Sequence, residues 1–339
     1  MVQERIPDTM RAVVLTGHGG LDKLVFHENW PTPVPETDEV LIRVGACGLN
    51  NTDVNTRSAW YSKGNVDATT GGALVGAEGQ DGTWGGASID FPRIQGADAV
   101  GTIVNTGQAV NASLIGQRVL IDGWLRDWDD PMNLDRTGYF GSECDGGYAQ
   151  YTRVSHRQVR PVHSPLSDAE LATFVCSYVT AENMLNRAQV TGKDTLLITG
   201  ASGGVGSALI QLAHRRGASC VAMCGADKAA GVQAVGPCVV IGRSPEDLPS
   251  ALRDAIGRDS VDVVADVVGG AIWPQLIEVI SRGGRYTCAG AIAGPLVDFD
   301  LRTFYLRDLT LSGATVPPPG VFEDLVGYIE RGEVRPLLA

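Results

Sequence analysis

No stretch of this chain limits its fold more tightly than residues 195–213, TLLITGASGGVGSALIQLA. An apolar strand enters Gly200-Ala201-Ser202-Gly203-Gly204-Val205-Gly206 and leaves directly into an amphipathic helix. The spacing of Ala201, Gly203 and Gly206 is that of a dinucleotide-binding turn with alanine in place of the first glycine. Small residues permit the tight turn, Gly203 lets backbone approach a pyrophosphate, and Gly206 allows close helix–strand packing. The helix start then offers backbone N–H groups and a positive dipole end to phosphate oxygens. Ser202, Gly204 and Val205 complete the cradle. These residues point to a bound nicotinamide dinucleotide. The competing reading is a glycine-rich turn needed only for packing.

The surroundings strengthen the first reading. From about Ser167 onward, apolar strands alternate with helices: 194–200, a helix over 207–217, 219–225, a helix over 227–236, 238–242, 260–270, a helix over 273–281, 283–291 and 309–316. Strands apolar on both faces and separated by helices indicate a parallel sheet covered on both sides. Ser167 and Glu170 have capping-box spacing. The first half instead carries short β-branched runs at 10–17, 39–50, 99–107, 116–123 and 146–154, punctuated by Gly, Pro or Asn. The expected class is α/β: a Rossmann doubly wound parallel sheet over 161–316, a β-rich domain over 1–160, and a final segment, 317–339. Two long irregular stretches, 62–92 and 124–145, are candidate substrate-covering loops.

Composition excludes several classes. With 27 Lys+Arg against 39 Asp+Glu the formal charge is −12, which disfavours nucleic acid or an anionic membrane as partner. No apolar run reaches membrane-spanning length, and MVQERIPDTMRAVVL lacks a secretory pattern, so a cytoplasmic location is expected. The seven cysteines are irregularly spaced with no CxxC pair, which argues against a disulfide framework and a four-cysteine zinc site. Most read as small buried residues.

Cofactor choice turns on the end of the second strand of the alternating half. A dinucleotide bound through a ribose 2′-hydroxyl calls for Asp or Glu there, but the strand ends Met223-Cys224-Gly225. Gly225 leaves room for a 2′-phosphate, and Lys228 or Arg243 could pair with it. Asp227 is the counter-signal. NADPH is therefore expected over NADH, which stays open.

Beyond the turn, ACGLNNTDVNTRSAWY (46–61), PRIQGADAVGTIVNTG (92–107), GGYAQY (146–151), FVCSYVTAENML (174–185) and VDVVADVVGG (261–270) occur in that order. With these motifs the sequence resembles the medium-chain dehydrogenase/reductase superfamily from about residue 10 to its end. The resemblance implies a GroES-like N-terminal domain, a Rossmann domain and an active site in the cleft between them. Zinc-dependent members carry Cys where this chain has Asn50 and His where it has Ala97, and only Cys176 matches a third ligand position. One thiolate and a nearby carboxylate do not make a three-ligand open zinc site. The resemblance thus narrows to zinc-free quinone oxidoreductases and enone or enoyl-thioester reductases. It implies that Asn50, Thr180, Val268, Gly290, Ala291 and Ile292 line the nicotinamide. It also implies two departures: a tyrosine common after the third Rossmann strand is replaced near Gly242, and the chain stops short of a further strand–helix–strand.

Conjugate reduction suits a site without a Lewis acid, because charge spreads into an enolate. Asn50, Thr52 or backbone N–H groups are the expected carbonyl-polarising donors and Tyr61 or water the expected proton donor, with a substrate-shaping role for Tyr61 beside Trp60 as the alternative. Asp53 reads as a structural cap, and His214 as a surface residue. Two other functions stay open: a zinc alcohol dehydrogenase drawing on Cys176, Asp98 and Cys47, and a non-catalytic NADPH-binding protein. A homodimer joined along the Rossmann sheet near 309–316 is the expected assembly.

Overall fold

In a computed structural model the chain is described over residues 5–69 and 88–338. It divides into two units. Among the described residues, those up to Asn65, from 88 to Cys176 and from Pro318 onward form the first. Residues 66–69 and Ser177–Pro317 form the second.

The first unit is antiparallel β. Strand β1 (Thr9–Leu15) pairs with β2 (Leu24–Pro31) and, after β3 (Glu39–Gly48) and the short helix α1 (Asn51–Arg57), with β4 (Arg93–Ile94). Strands β5 (Asp98–Thr106), β6 (Arg118–Ile121), β9 (Tyr151–Ser155) and β10 (Val159–Pro161) join β3 in a five-stranded sheet of order β10-β6-β5-β3-β9. A ribbon of β7 (Trp124–Leu125) and β8 (Gly138–Tyr139) lies within the second irregular stretch. Alternation along β3 and β5 sends Val40, Ile42, Ala99 and Ile103 into one core with Val119, Ile121 and Phe140, while Leu41 joins Met10, Val14 and Tyr151 in another. Helix α2 (Asp168–Leu171) opens at Ser167, whose hydroxyl accepts the Glu170 N–H, so the capping box is present. After the second unit, α9 (Pro319–Glu330) rejoins the first, held by Arg160 to Glu323 and by the His163 N–H to Glu330.

The second unit carries a six-stranded sheet, every pairing parallel: β11 (Thr195–Ile198), β12 (Ser219–Cys224), β13 (Val239–Gly242), β14 (Val261–Asp266), β15 (Ile280–Cys288) and β16 (Thr310–Gly313). Helices α3 (Val175–Arg187), α4 (Gly204–Arg215), α5 (Ala229–Val235), α6 (Leu248–Ile256), α7 (Trp273–Glu278) and α8 (Leu301–Leu306) are interleaved. The order β13-β12-β11-β14-β15-β16 is the doubly wound one, in which the strand sequence reverses direction between β11 and β14. Leu197, Val221, Val264, Leu276 and Ile280 sit in its core.

Two sequence expectations are refined. The helix expected over 227–236 is a 3-10 turn, Ala226–Lys228, followed by α5, and the helix after the glycine turn starts at Gly204 rather than 207. All seven cysteines are free; Cys220 and Cys224 are buried in the core, and the half-buried Cys47, Cys144 and Cys288 pack against it. The expectation for the 62–92 loop falls largely on 70–87, outside the described residues.

Candidate active site

In the second unit the glycine turn lies at the topological switch point, where open α/β sheets bind ligands. Gly200 adopts φ +56°, a conformation that favours glycine, and its carbonyl accepts the Gly203 N–H at 2.9 Å. A Cβ on Gly206 would lie 2.3 Å from the Gly200 oxygen and 2.6 Å from the Ala201 Cα, so glycine is required for the helix to start this close to the strand. Gly203 caps α4 without a side chain. Backbone N–H groups at the start of α4 are therefore left to water or to an anion. Ser202, Gly203 and Gly204 are exposed, Val205 is half-buried and Ala201 is buried. The turn fits a diphosphate by shape and by dipole.

Gly225 follows β12, and the Asp227 carboxylate lies over it: a Cβ on Gly225 would come within 2.5 Å of Asp227 Oδ1. Lys228 is exposed beside it, and Arg243 is exposed just past β13. Asp227, the counter-signal in the sequence, thus sits between Gly225 and Lys228 in the 3-10 turn Ala226–Lys228.

On the other side of the switch point, Asp266 ends β14 fully buried. It accepts the hydroxyls of Thr199 at 2.5 Å and Tyr286 at 2.7 Å, and the N–H groups of Val268 at 2.8 Å and Gly269 at 3.1 Å. Thr199 in turn accepts the Val267 N–H at 3.1 Å. Three strand ends are thus tied to the segment that carries Val268. The Ala293 N–H bonds the Val268 carbonyl at 2.8 Å and the Ile292 N–H bonds that of Val267 at 3.2 Å, which brings Gly290, Ala291 and Ile292 to the same place. Thr180, on α3, is half-buried. Asp266 escaped the sequence reading; an acid ending an apolar strand, VDVVAD, was the available signal.

In the first unit, Asn50 precedes α1 and its N–H donates to Asp53 Oδ2 at 2.9 Å, closing the first turn of the helix. Asp53 therefore has the structural role expected. It also receives Tyr148 and the backbone of Gly96 and Ala97, yet burial still pushes its carboxyl up. Tyr61 donates to Thr52 Oγ1 at 3.2 Å. Burial lifts the Tyr61 phenol to about 12, opposed by Thr52 and Asn55, so it stays protonated near neutrality. The three expected catalytic residues are thus grouped around one end of α1.

What the sequence reading missed is the partner of Asn50. Asp98, at the start of β5 and 1% exposed, accepts the Asn50 Nδ2–H on Oδ2 and the Cys176 N–H on Oδ1 at 2.6 Å. Burial pushes its carboxyl up to about 8. Cys47 lies close by with its thiol raised by burial and then by Asp98. The donor set does not fit a metal ion: both Asp98 oxygens are occupied by hydrogen-bond donors, and Asn50 and Ala97 offer no thiolate or imidazole. Among the described residues no three His, Cys, Asp or Glu side chains are grouped to hold one.

Comparison with known proteins agrees with both units. Residues 36–164 match the alcohol dehydrogenase GroES-like domain and residues 204–331 match the zinc-binding dehydrogenase domain. A solved structure of a provisional alcohol dehydrogenase from Sinorhizobium meliloti 1021 is 45% identical, with a TM-score of 0.87 over 98% of this chain and 89% of that one. A chloroplastic NADPH-dependent alkenal/one oxidoreductase from Arabidopsis thaliana is 28% identical over 98% of this chain and 72% of its own. A quinone oxidoreductase from Lama guanicoe is 25% identical over 91% of this chain and 80% of its own.

Proposed function

Since the chain belongs to the medium-chain dehydrogenase/reductase superfamily, we propose that it is an NAD(P)H-dependent oxidoreductase that prefers NADPH and reduces a quinone or an α,β-unsaturated carbonyl without a metal ion. The observation that carries this reading is the pairing of Asn50 with Asp98. Where zinc-dependent relatives place a thiolate, this chain holds an amide locked onto a buried carboxyl group. Support for the cofactor comes from the glycine turn at the switch point, from Lys228 and Arg243, and from the NADPH named for the Arabidopsis relative.

When bound, reduced nicotinamide supplies hydride to the β-carbon. The chain's residues handle the charge and the proton. Electron density shifts to the carbonyl oxygen, and donors from Asn50 and Thr52 stabilise the enolate. The α-carbon then takes a proton. A proton leaving Thr52 is replaced from Tyr61, which donates to it, and Tyr61 regains its own proton from water, so the pair forms a two-hydroxyl relay. The Asp266 network fixes Val268 and the 290–292 segment for the nicotinamide ring. No small-molecule substrate is singled out beyond this class. We place the protein in the cytoplasm as a homodimer paired along β16, the sheet edge, beside which Leu301, Tyr305 and Leu306 are exposed.

The test is NADPH oxidation against a panel of quinones, enones, enoyl thioesters and ketones, with and without chelator, alongside metal analysis. Turnover of a quinone or enone that survives chelation is the expected result. About one tightly held zinc per chain, with alcohol oxidation lost on chelation, would overturn the zinc-free reading. NADPH binding without turnover of any class would leave a non-catalytic protein.

A further inference from the structure

We propose that the free edge of β9 is a docking site for an extended basic peptide, which adds a strand to the five-stranded sheet of the first unit. The inference is independent of the active-site reading. It starts from the order of the sheet, in which β9 (Tyr151–Ser155) is terminal and pairs only with β3. Ile42 faces Thr152 and Val40 faces Val154, in phase with the Val44 N–H on the Gln150 carbonyl and the His156 N–H on the Asp38 carbonyl. Those positions exchange the ladder hydrogen bonds. The main-chain N–H and C=O groups of Tyr151, Arg153 and Ser155 therefore point away from β3, and no described residue bonds them. Strand β1 touches this stretch of chain at a single bridge, Ala12 with Ala149, and does not continue along β9. A row of unpaired donors and acceptors of this kind is a template for one more strand.

The edge lies along a cavity. All five residues of β9 line a space of about 330 Å³, whose lining also includes Trp30, Pro31 and Pro33. The prolines have no N–H to offer β9. Around the same cavity three buried side-chain atoms have no hydrogen-bond partner among the described residues: Thr152 Oγ1, Arg93 Nε and Glu143 Oε1. Thr152 is 2% exposed. Buried polar groups are ordinarily satisfied, and a peptide, which carries donors and acceptors at every residue, satisfies groups of both kinds.

Charge selects the guest. Arg93 is paired with Asp145 at 3.2 Å, and Arg153 with Glu36 at 2.8 Å and Glu39 at 3.2 Å. Both cations of the lining are thus engaged, whereas Asp38 and Glu143 form no ion pair among the described residues. Glu143 takes the Tyr139 N–H on Oε2 at 2.7 Å, which leaves Oε1 for an ammonium or guanidinium group. Met10, Ile94 and Leu125 supply apolar surface. A short strand of basic and apolar residues meets both demands, while an acidic one is repelled.

The experiment is calorimetric titration of the full chain with the peptide acetyl-Lys-Val-Lys-Val-Lys-amide. One peptide is expected to bind per chain. The same peptide N-methylated at every residue should not bind, because it has no main-chain donor to give β9. Acetyl-Glu-Val-Glu-Val-Glu-amide should bind at least about tenfold more weakly. Glu143→Gln, whose amide oxygen still accepts the Tyr139 N–H, should weaken the lysine peptide about tenfold. Ser155 has φ −53°, within the range of proline, so Ser155→Pro removes one outward N–H without moving the backbone and should weaken binding severalfold. That variant also loses the Ser155 cap on the Arg157 N–H; where its Tm shows that it does not fold, the N-methylated peptide on the wild type makes the same test. No binding at millimolar lysine peptide, equal binding of the N-methylated peptide, or equal binding of the acidic one would each overturn the proposal. So would a wild-type dimer in sedimentation that dissociates in Ser155→Pro, since it puts a second copy of this chain on the edge.

Discussion

Two glycines of the same turn separate cofactor binding from folding. Gly203 has φ −88° and ψ 175°, an extended conformation open to any residue, and an added Cβ would meet only the Gly200 oxygen at 3.4 Å. Gly203→Ala should leave the unliganded protein within about 0.5 kcal/mol of wild type. The methyl group would, however, stand where a pyrophosphate oxygen must approach backbone. Losing one or two hydrogen bonds to a charged phosphate, at about 1.5–3 kcal/mol each, weakens NADPH binding by roughly 10- to 10⁴-fold. Gly206→Ala behaves oppositely. Its Cβ would lie 2.3 Å from the Gly200 oxygen and 2.6 Å from the Ala201 Cα, both backbone atoms with no rotamer to yield. Overpacking of this kind costs about 1–3 kcal/mol, which lowers the Tm of the unliganded protein by several degrees. Thermal unfolding without cofactor and calorimetric titration with NADPH read the two effects independently. If Gly203→Ala binds NADPH as tightly as wild type, the turn does not hold the diphosphate. If it lowers the unliganded Tm as much as Gly206→Ala does, the open space around Gly203 and the crowding at Gly206 are not as described.

Four other substitutions probe the rest of the site. Tyr61→Phe should lower kcat by about 10²-fold while leaving NADPH affinity intact, because a general acid contributes in that range; with the phenol at about 12, no limb from Tyr61 appears in the wild-type pH–rate profile below about 11. Tyr286→Phe removes one of the donors to buried Asp266 and should cost about 1–3 kcal/mol in denaturant unfolding. Asp266→Ala should cost more than Tyr286→Phe and also raise the KM for NADPH, since it frees Val268 and Gly269. Lys228→Ala should raise the KM for NADPH about tenfold without altering that for NADH, if the lysine meets the 2′-phosphate; equal effects on both cofactors would assign it elsewhere.

The parts legible in the sequence are those whose physics is local. A strand that must be apolar on both faces announces a parallel sheet, and TLLITGASGGVGSALIQLA places turn, strand and helix within one short window, so the switch-point cradle could be read before any coordinates. Ser167 with Glu170, and Asn50 with Asp53, are likewise contacts between residues three apart. The decisive chemistry is not local. Asn50 meets Asp98 across 48 residues, Asp98 meets Cys176 across 78, and Thr199 meets Asp266 across 67. No periodicity records such distances. Asp98 in particular reads, in GADAVG, as a polar residue at a strand edge that could be a ligand or nothing; its meaning is set by a desolvation that only the packed β3–β5 sheet imposes. Composition reads the cysteines as small core residues, and it does not show that Cys47 lies beside Asp98 or that Cys176 donates its N–H to it. Two of the seven cysteines thus flank the carboxyl group that holds Asn50. The residues at 50 and 97, read in the sequence as neither thiolate nor imidazole, then have a structural counterpart: the Asn50 amide is held on a buried carboxyl group that no local pattern announced.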